Sequence, residues 1–281
     1  MKKIQYKWIA LSCTSLGAFF SIFDSTAVVI ALPSIMIDLN ASFASILWTI
    51  MSYMLILTIF VPAIGRVADM IGRKQLFARG FMIFTLGSLL SGFSFNGEIL
   101  IAFRVIQAIG AVLLFANSTT IVTDAFPKNE LGRALGINGM VISVGAVAGP
   151  IIGGALTIIN WRLIFFVNVP VGIIGTIWAQ IQLREIDILP PDQTFDWSGT
   201  ILFTLGLLIV LLGSTFGALL GWVNPIIIMS FISSGILLVL FFWIENKKKQ
   251  PMLDLHLFKT RILSFALISN LMNGIARGAI T

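Results

Sequence analysis

Long apolar runs recur down this chain, separated by short polar or basic turns, and they do not alternate apolar with polar residues. They fall at Trp8–Ile30, Ile46–Ile64, Phe77–Phe95, Ile99–Val122, Ala134–Ile159, Leu163–Leu183, Gly199–Phe216, Val223–Ile244 and Ile262–Thr281. A helix rises ~1.5 Å per residue, so about 20 residues cross a hydrocarbon core ~30 Å thick. Inside hydrocarbon the backbone must satisfy its own hydrogen bonds, which leaves helices or closed barrels. Barrel strands would alternate over segments of about 10 residues. The expectation is an all-α integral membrane protein with eight complete spans and a ninth that reaches the end of the chain. Composition agrees, with 58% hydrophobic and 11% charged residues, against ~25% charged in a soluble domain.

The net charge of +6 is explained by where the lysines and arginines lie. With the N-terminus in the cytoplasm, fifteen of the 18 fall on inside segments, from Lys2, Lys3 and Lys7 to Lys259 and Arg261. Only Arg162 falls outside, and Arg104 and Arg277 lie within spans. That is a strong positive-inside bias, and it holds the inner loops near anionic lipid. Basic and aromatic residues form no interleaved hydrophilic patch, so nucleic acid is not an expected partner; the lipid bilayer is. Met1-Lys2-Lys3 imitates a secretory signal, but the run behind it is too long and lacks a small-residue cleavage site, so a retained first span is expected. Cys13 stands alone, and His256 lies in a polar connector as a solvated residue. Neither a disulfide nor a metal site is expected.

Two connectors are longer than the rest, Arg184–Trp197 and Glu245–Arg261. They divide the chain into a six-span bundle (1–184), a connector with a two-span hairpin (185–250), and a connector with the start of a further bundle (251–281). Lys247-Lys248-Lys249 reads as a topology anchor.

Asp24 is the only charge in its apolar run. A carboxylate at the centre of a spanning helix costs about 2.5–3.5 kcal/mol on insertion scales, so it is expected to face a cavity or a partner. Aspartate is too short to snorkel far. Arg104, in the fourth run, lies within ~5 Å of the same depth at 1.5 Å per residue. It either pairs with Asp24 or snorkels to the outer surface. Gln107 extends the Arg104 face by one turn. Gly145, Gly149 and Gly153 make a smooth stripe, continued by Gly154, against which another helix can pack closely. Pro150 removes one backbone hydrogen bond there. The stripe serves either rocking or static packing. Asn117, with Ser118, Thr119 and Thr120, either lines a cavity or bonds back to its own helix. Between the second and third runs, Gly65 is expected to allow close helix approach and Gly72 a tight turn. Asp69 is expected near a helix N-terminus, and Arg73 and Lys74 to hold carboxylates or lipid phosphates. So short a loop makes these two spans antiparallel neighbours.

The spacing Gly65-x-x-x-Asp69-x-x-Gly72-Arg73-Lys74 resembles the cytoplasmic signature loop of the major facilitator superfamily. Asp24-Ser25-Thr26 leading to Ala31-Leu32-Pro33, Arg104-Val105-Ile106-Gln107-Ala108-Ile109-Gly110, and the Gly145–Gly154 stretch resemble its fourteen-span drug:proton antiporters. Asn160-Trp161-Arg162 through Asn168-Val169-Pro170-Val171-Gly172, and Phe195-Asp196-Trp197-Ser198-Gly199, strengthen the likeness, which covers essentially the whole chain. Ala108 departs from it, since that family commonly has glycine there.

The resemblance implies a fold with a six-helix N-terminal bundle, an extra two-helix hairpin, and the first helix of an incomplete C-terminal bundle. It implies a proton-coupled exporter of lipophilic or cationic compounds in the cytoplasmic membrane, not an enzyme. The proton gradient, and no cofactor, would supply the energy. Asp24 would carry the proton beside Arg104, and Arg73 with Asp124 would lock a cytoplasmic gate. The missing C-terminal half would be a partner, because this much of the chain is not expected to complete a two-walled cavity. An exporter of a specific metabolite or antibiotic, or a truncated or partner half, is the alternative.

Overall fold

The computed structural model describes residues 5–185, 196–248, 251, 253 and 260–278. Those residues form the helices α1 (Tyr6–Asp38), α2 (Phe43–Ile71), α3 (Arg73–Gly92), α4 (Gly97–Ala125), α5 (Lys128–Ile159), α6 (Leu163–Gln182), α7 (Trp197–Leu220), α8 (Pro225–Glu245) and α9 (Arg261–Gly278). Each expected run is a helix, and the fold is all-α among the described residues. His256, Lys249 and most of both connectors lie outside them, as does the side chain of Arg277. The helices fall into two compact units, Met1–Gln193 and Thr194–Thr281.

Several helices outrun the apolar segments that announced them. α1 continues through Pro33 to Asp38. Proline inside a helix removes one bond to the preceding turn, yet Ala31 and Ile35 on either side are fully buried. Packing therefore carries the helix past the break. Seven helices are long and apolar enough to cross a membrane by length and composition: α1, α2, α4, α5, α6, α7 and α8. Among the described residues α3 and α9 fall short of that measure. In α3 the reason is visible: Arg73, Lys74 and Arg79 occupy the first two turns, and the rest is rich in small and polar residues that are buried in the bundle.

In the first unit α3 lies against α4 and α6, α2 against α4, and α1 against α5 and α4. The expected antiparallel pairing of the second and third spans is corrected here. α2 and α3 are joined by Gly72 alone, but their packing partners are other helices. α3 and α4 approach to backbone contact: a Cβ on Gly110 would overlap Phe84 N, and one on Gly87 would overlap Gln107 N. That closeness fixes Gln107 and its neighbour Arg104 one turn away. Gly65 is also corrected, since nothing lies within 4 Å of its Cβ position. It provides no close approach.

The second unit contains the antiparallel α7–α8 hairpin. Its turn uses Gly221 at φ 90°, a left-handed conformation that glycine alone adopts without strain. Asn224 caps α8, accepting from Ile226 N, with Pro225 at the first helical position.

Candidate functional site

Asp24 and Arg104 meet in the interior of the first unit, 0% and 1% exposed. Arg104 Nη1 lies 2.5 Å from Asp24 Oδ2. The same Nη1 donates to Gln107 Oε1 at 2.7 Å, and Nε reaches Thr49 O at 3.5 Å. The guanidinium lies over the Tyr53 ring, 4.3 Å from its centroid. Asp24 Oδ1 accepts from Gln107 Nε2 at 2.9 Å and from Asn168 Nδ2 at 2.8 Å. Asn168 Nδ2 also reaches Ser88 Oγ at 3.0 Å, and Ser88 donates to Phe165 O at 2.9 Å. Five helices, α1, α2, α3, α4 and α6, thus contribute to one polar cluster.

Each member has a local reason for its place. Asn96 caps α4 by accepting from Ile99 N at 2.8 Å, and Arg104 and Gln107, three residues apart, share a helix face. Neither oxygen of Asp24 is left without a donor. A buried ion pair loses the hydration of both charges, and it survives when the geometry is good and the remaining lone pairs are satisfied. Asp24 meets the second condition, with both oxygens accepting, while Asn168 Oδ1 beside it is buried without a partner. Asn168, Ser88 and Tyr53 were not singled out from the sequence. Asn168 does lie in the Asn160–Gly172 stretch, and an amide within an apolar run was the available signal.

A second cluster closes the α2–α3 corner. Arg73 Nε and Nη2 donate to Asp69 Oδ1 at 2.9 and 2.7 Å, and Nη1 forms an ion pair with Asp124 Oδ2 at the end of α4. All three side chains are partly exposed. Asp69 is thus held by Arg73 in place of the expected helix N-terminus. That N-terminus is taken by Glu185 instead, whose Oε1 accepts from Lys74 N at 3.1 Å. Gly72, at φ 115°, leaves the room: a Cβ there would lie 2.7 Å from the Glu185 carboxyl carbon. Glu185 was missed in the sequence, where it stands in a connector directly after the sixth run.

The α5 glycine stripe faces α1. A Cβ on Gly145 would lie 3.0 Å from Phe19 O, one on Gly149 would overlap Thr26 Oγ1, and one on Gly153 would lie 2.7 Å from Ala27 Cβ. Gly154 stands apart, with only Ile30 Cγ2 at 3.7 Å. Pro150 lies within α5, which continues to Ile159. Asn117 is buried and donates to Leu113 O at 2.7 Å, so it bonds back to its own helix. Gln107, fully buried, belongs to the charge cluster. A groove of about 590 Å³, lined by Trp8, Leu11, Phe19, Val141 and Trp178, does not include either residue. Among the described residues no group of three or more His, Cys, Asp or Glu is placed to hold a metal ion.

A sequence model of the Major Facilitator Superfamily matches residues 14–191. The riboflavin transporter RibZ of Clostridioides difficile is 36% identical over 92% of this chain and 56% of its own length. Multidrug resistance protein 3 of Bacillus subtilis is 31% identical over 97% of this chain and 53% of its own. The multidrug transporter protein MdtP of Bacillus subtilis is 33% identical over 95% and 49%. The chain spans about half the length of these curated relatives. A crystal structure of a bacterial homolog of the human lysosomal transporter Spinster, inward-facing and unoccupied, superposes with TM-score 0.55. It is 21% identical, covering 81% of this chain and 55% of that one, and this likeness speaks to the fold alone.

Proposed function

The chain belongs to the Major Facilitator Superfamily, and from that premise we propose that it forms the N-terminal part of a proton-coupled exporter. The cargo is lipophilic or cationic toxic compounds, moved out across the cytoplasmic membrane. The N-terminus is cytoplasmic, as the placement of lysine and arginine supports. Family membership supports a transporter and not an enzyme. The observation that carries the proposal is the buried Asp24–Arg104 pair with its supporting amides.

The pair is built so that a proton can replace the guanidinium. A proton on Asp24 Oδ2 converts the carboxylate to a neutral acid and breaks the ion pair. Arg104 is not stranded, because it keeps Gln107 Oε1 and the face of Tyr53. Asp24 Oδ1 keeps the Gln107 and Asn168 amides. Proton uptake thus leaves one positive charge in the cluster, which disfavours a cationic substrate nearby. Proton loss restores the pair. Alternate exposure of the cluster to the two sides converts this exchange into antiport. The Arg73–Asp69–Asp124 cluster acts as the cytoplasmic lock, and the α1–α5 contact is the surface that slides.

A specific-metabolite exporter is the second reading, favoured by the riboflavin transporter relative. A cell-based efflux screen of the natural full-length product, with and without an uncoupler, separates the two. Broad, uncoupler-sensitive export that Asp24→Asn abolishes, with insertion intact, supports the proposal. Normal efflux by Asp24→Asn removes Asp24 from the mechanism.

A further inference from the structure

The second unit carries a buried acidic pair that the transport reading does not use. Asp196 caps α7: its Oδ1 accepts from Gly199 N at 2.7 Å and from Ser198 Oγ at 3.1 Å, and it forms an ion pair with Lys248. Glu245, the last residue of α8, accepts from Leu253 N at 2.6 Å through Oε1. The other oxygen of each, Asp196 Oδ2 and Glu245 Oε2, has no donor. Both residues are buried, at 6% and 2% exposed. The two orphan oxygens face the same small space: a Cβ on Gly199 would lie 2.6 Å from Oδ2 and 2.7 Å from Oε2.

Two ionised carboxylates cannot face each other in this space without a donor between them. Burial disfavours the charged form of each, and the charge of one disfavours that of the other. Among the described residues Lys248 brings a positive charge to Asp196, while the Lys247 ammonium lies over the Trp243 ring at 3.6 Å. Lys248 balances one carboxylate, not two. A single proton resolves both problems: it neutralises the second carboxyl and supplies the missing donor. Asp196 has Lys248, Gly199 N and Ser198 to support a negative charge, whereas Glu245 has Leu253 N. The proton therefore resides on Glu245 Oε2 and is donated to Asp196 Oδ2.

We propose that Asp196 and Glu245 form a proton-binding pair that ties the first turn of α7 to the last residue of α8. The two groups titrate as a unit. When pH rises and the shared proton leaves, the pair acquires a second, unbalanced charge and the base of the hairpin opens. This site is independent of Asp24, so either can fail without the other.

The test is infrared difference spectroscopy of the purified full chain, with thermal unfolding followed across pH. Below neutral pH the wild type shows the carbonyl band of a protonated carboxylic acid that is absent in Glu245→Gln and retained in Asp24→Asn. Glu245→Gln, whose amide can donate to Asp196 Oδ2, loses the fall in melting temperature that the wild type shows as pH rises from about 4.5 to about 7. Glu245→Ala melts lower than the wild type in the acid range, where the pair holds its proton. Gly199→Ala, which drives a methyl group between the oxygens, also loses the band. The inference is overturned if the wild type and Glu245→Gln show the same band, or if their melting profiles coincide across pH. It is overturned equally if added calcium or magnesium raises the wild-type melting temperature and Glu245→Gln abolishes that effect.

Discussion

Replacing Gly149 by alanine tests the α1–α5 contact, because one methyl group there has nowhere to go. Its Cβ would overlap Thr26 Oγ1 and lie 2.9 Å from Phe23 O. Thr26 cannot easily swing away, since its hydroxyl bonds Ile22 O at 2.9 Å. Phe23 O is main chain and moves only with the helix. Forcing an extra methyl into packed surroundings costs about 1–3 kcal/mol. Gly154, on the same helix, is the internal control, because its Cβ meets Ile30 Cγ2 at an ordinary 3.7 Å. Alanine there gains the helix preference over glycine, about 0.8–1.0 kcal/mol. The two substitutions are therefore expected to move stability in opposite directions. Thermal and denaturant unfolding in one detergent would measure both. Thr26→Ala in the Gly149→Ala background removes the overlapping Oγ1, leaves Thr26 Cβ and Phe23 O at 2.9 Å, and recovers part of the loss. Equal effects at 149 and 154, or no recovery with Thr26→Ala, would refute the packing. The consequence reaches the site, because Phe23 immediately precedes Asp24.

Asn168→Ala removes one of two amides on Asp24 Oδ1. The expected loss is about 1–3 kcal/mol, read as a lower unfolding midpoint; an unchanged midpoint would put Asn168 outside the cluster. Arg73→Asp sets three carboxylates together with Asp69 and Asp124 and should destabilise the closed corner. Asp124→Arg in the same chain should restore transport, and failure to do so would discard the lock. For Asp196, burial opposes the charge, but the bonds from Lys248 and Gly199 N hold its carboxyl below the ordinary value. Its stabilising effect is therefore complete above the unfolded value of ~3.9 and is lost as pH falls through the lower folded value. Acid unfolding of Asp196→Asn should show a lower plateau and a shallower acid limb than the wild type.

What the sequence revealed follows the cost of each feature. Asp24 and Arg104 stood out because a charge in an apolar run has to be explained, and their matching depth proposed the pair that the structure forms. Asn168 did not stand out, because an amide in a spanning helix is cheap enough to have many uses. Its role depends on a contact 144 residues distant in the chain. Glycine spacing told which residues share a helix face but not what that face meets. Gly145, Gly149 and Gly153 meet α1, while Gly65 and Gly154 do not serve close packing. Glu185 shows the same limit: a carboxylate in a connector carries no sign of the helix end it will cap. Helix existence was plain from the runs, whereas helix ends were not, because packing around Pro33 extends α1 beyond its apolar segment.

The central claim is that a proton and Arg104 exchange places on Asp24. It is tested most directly by proton release from the purified natural full-length protein, in weakly buffered solution, on adding a lipophilic cation. The account predicts release by the wild type, and none by Asp24→Asn that still binds the cation. Equal release by the two proteins would contradict it.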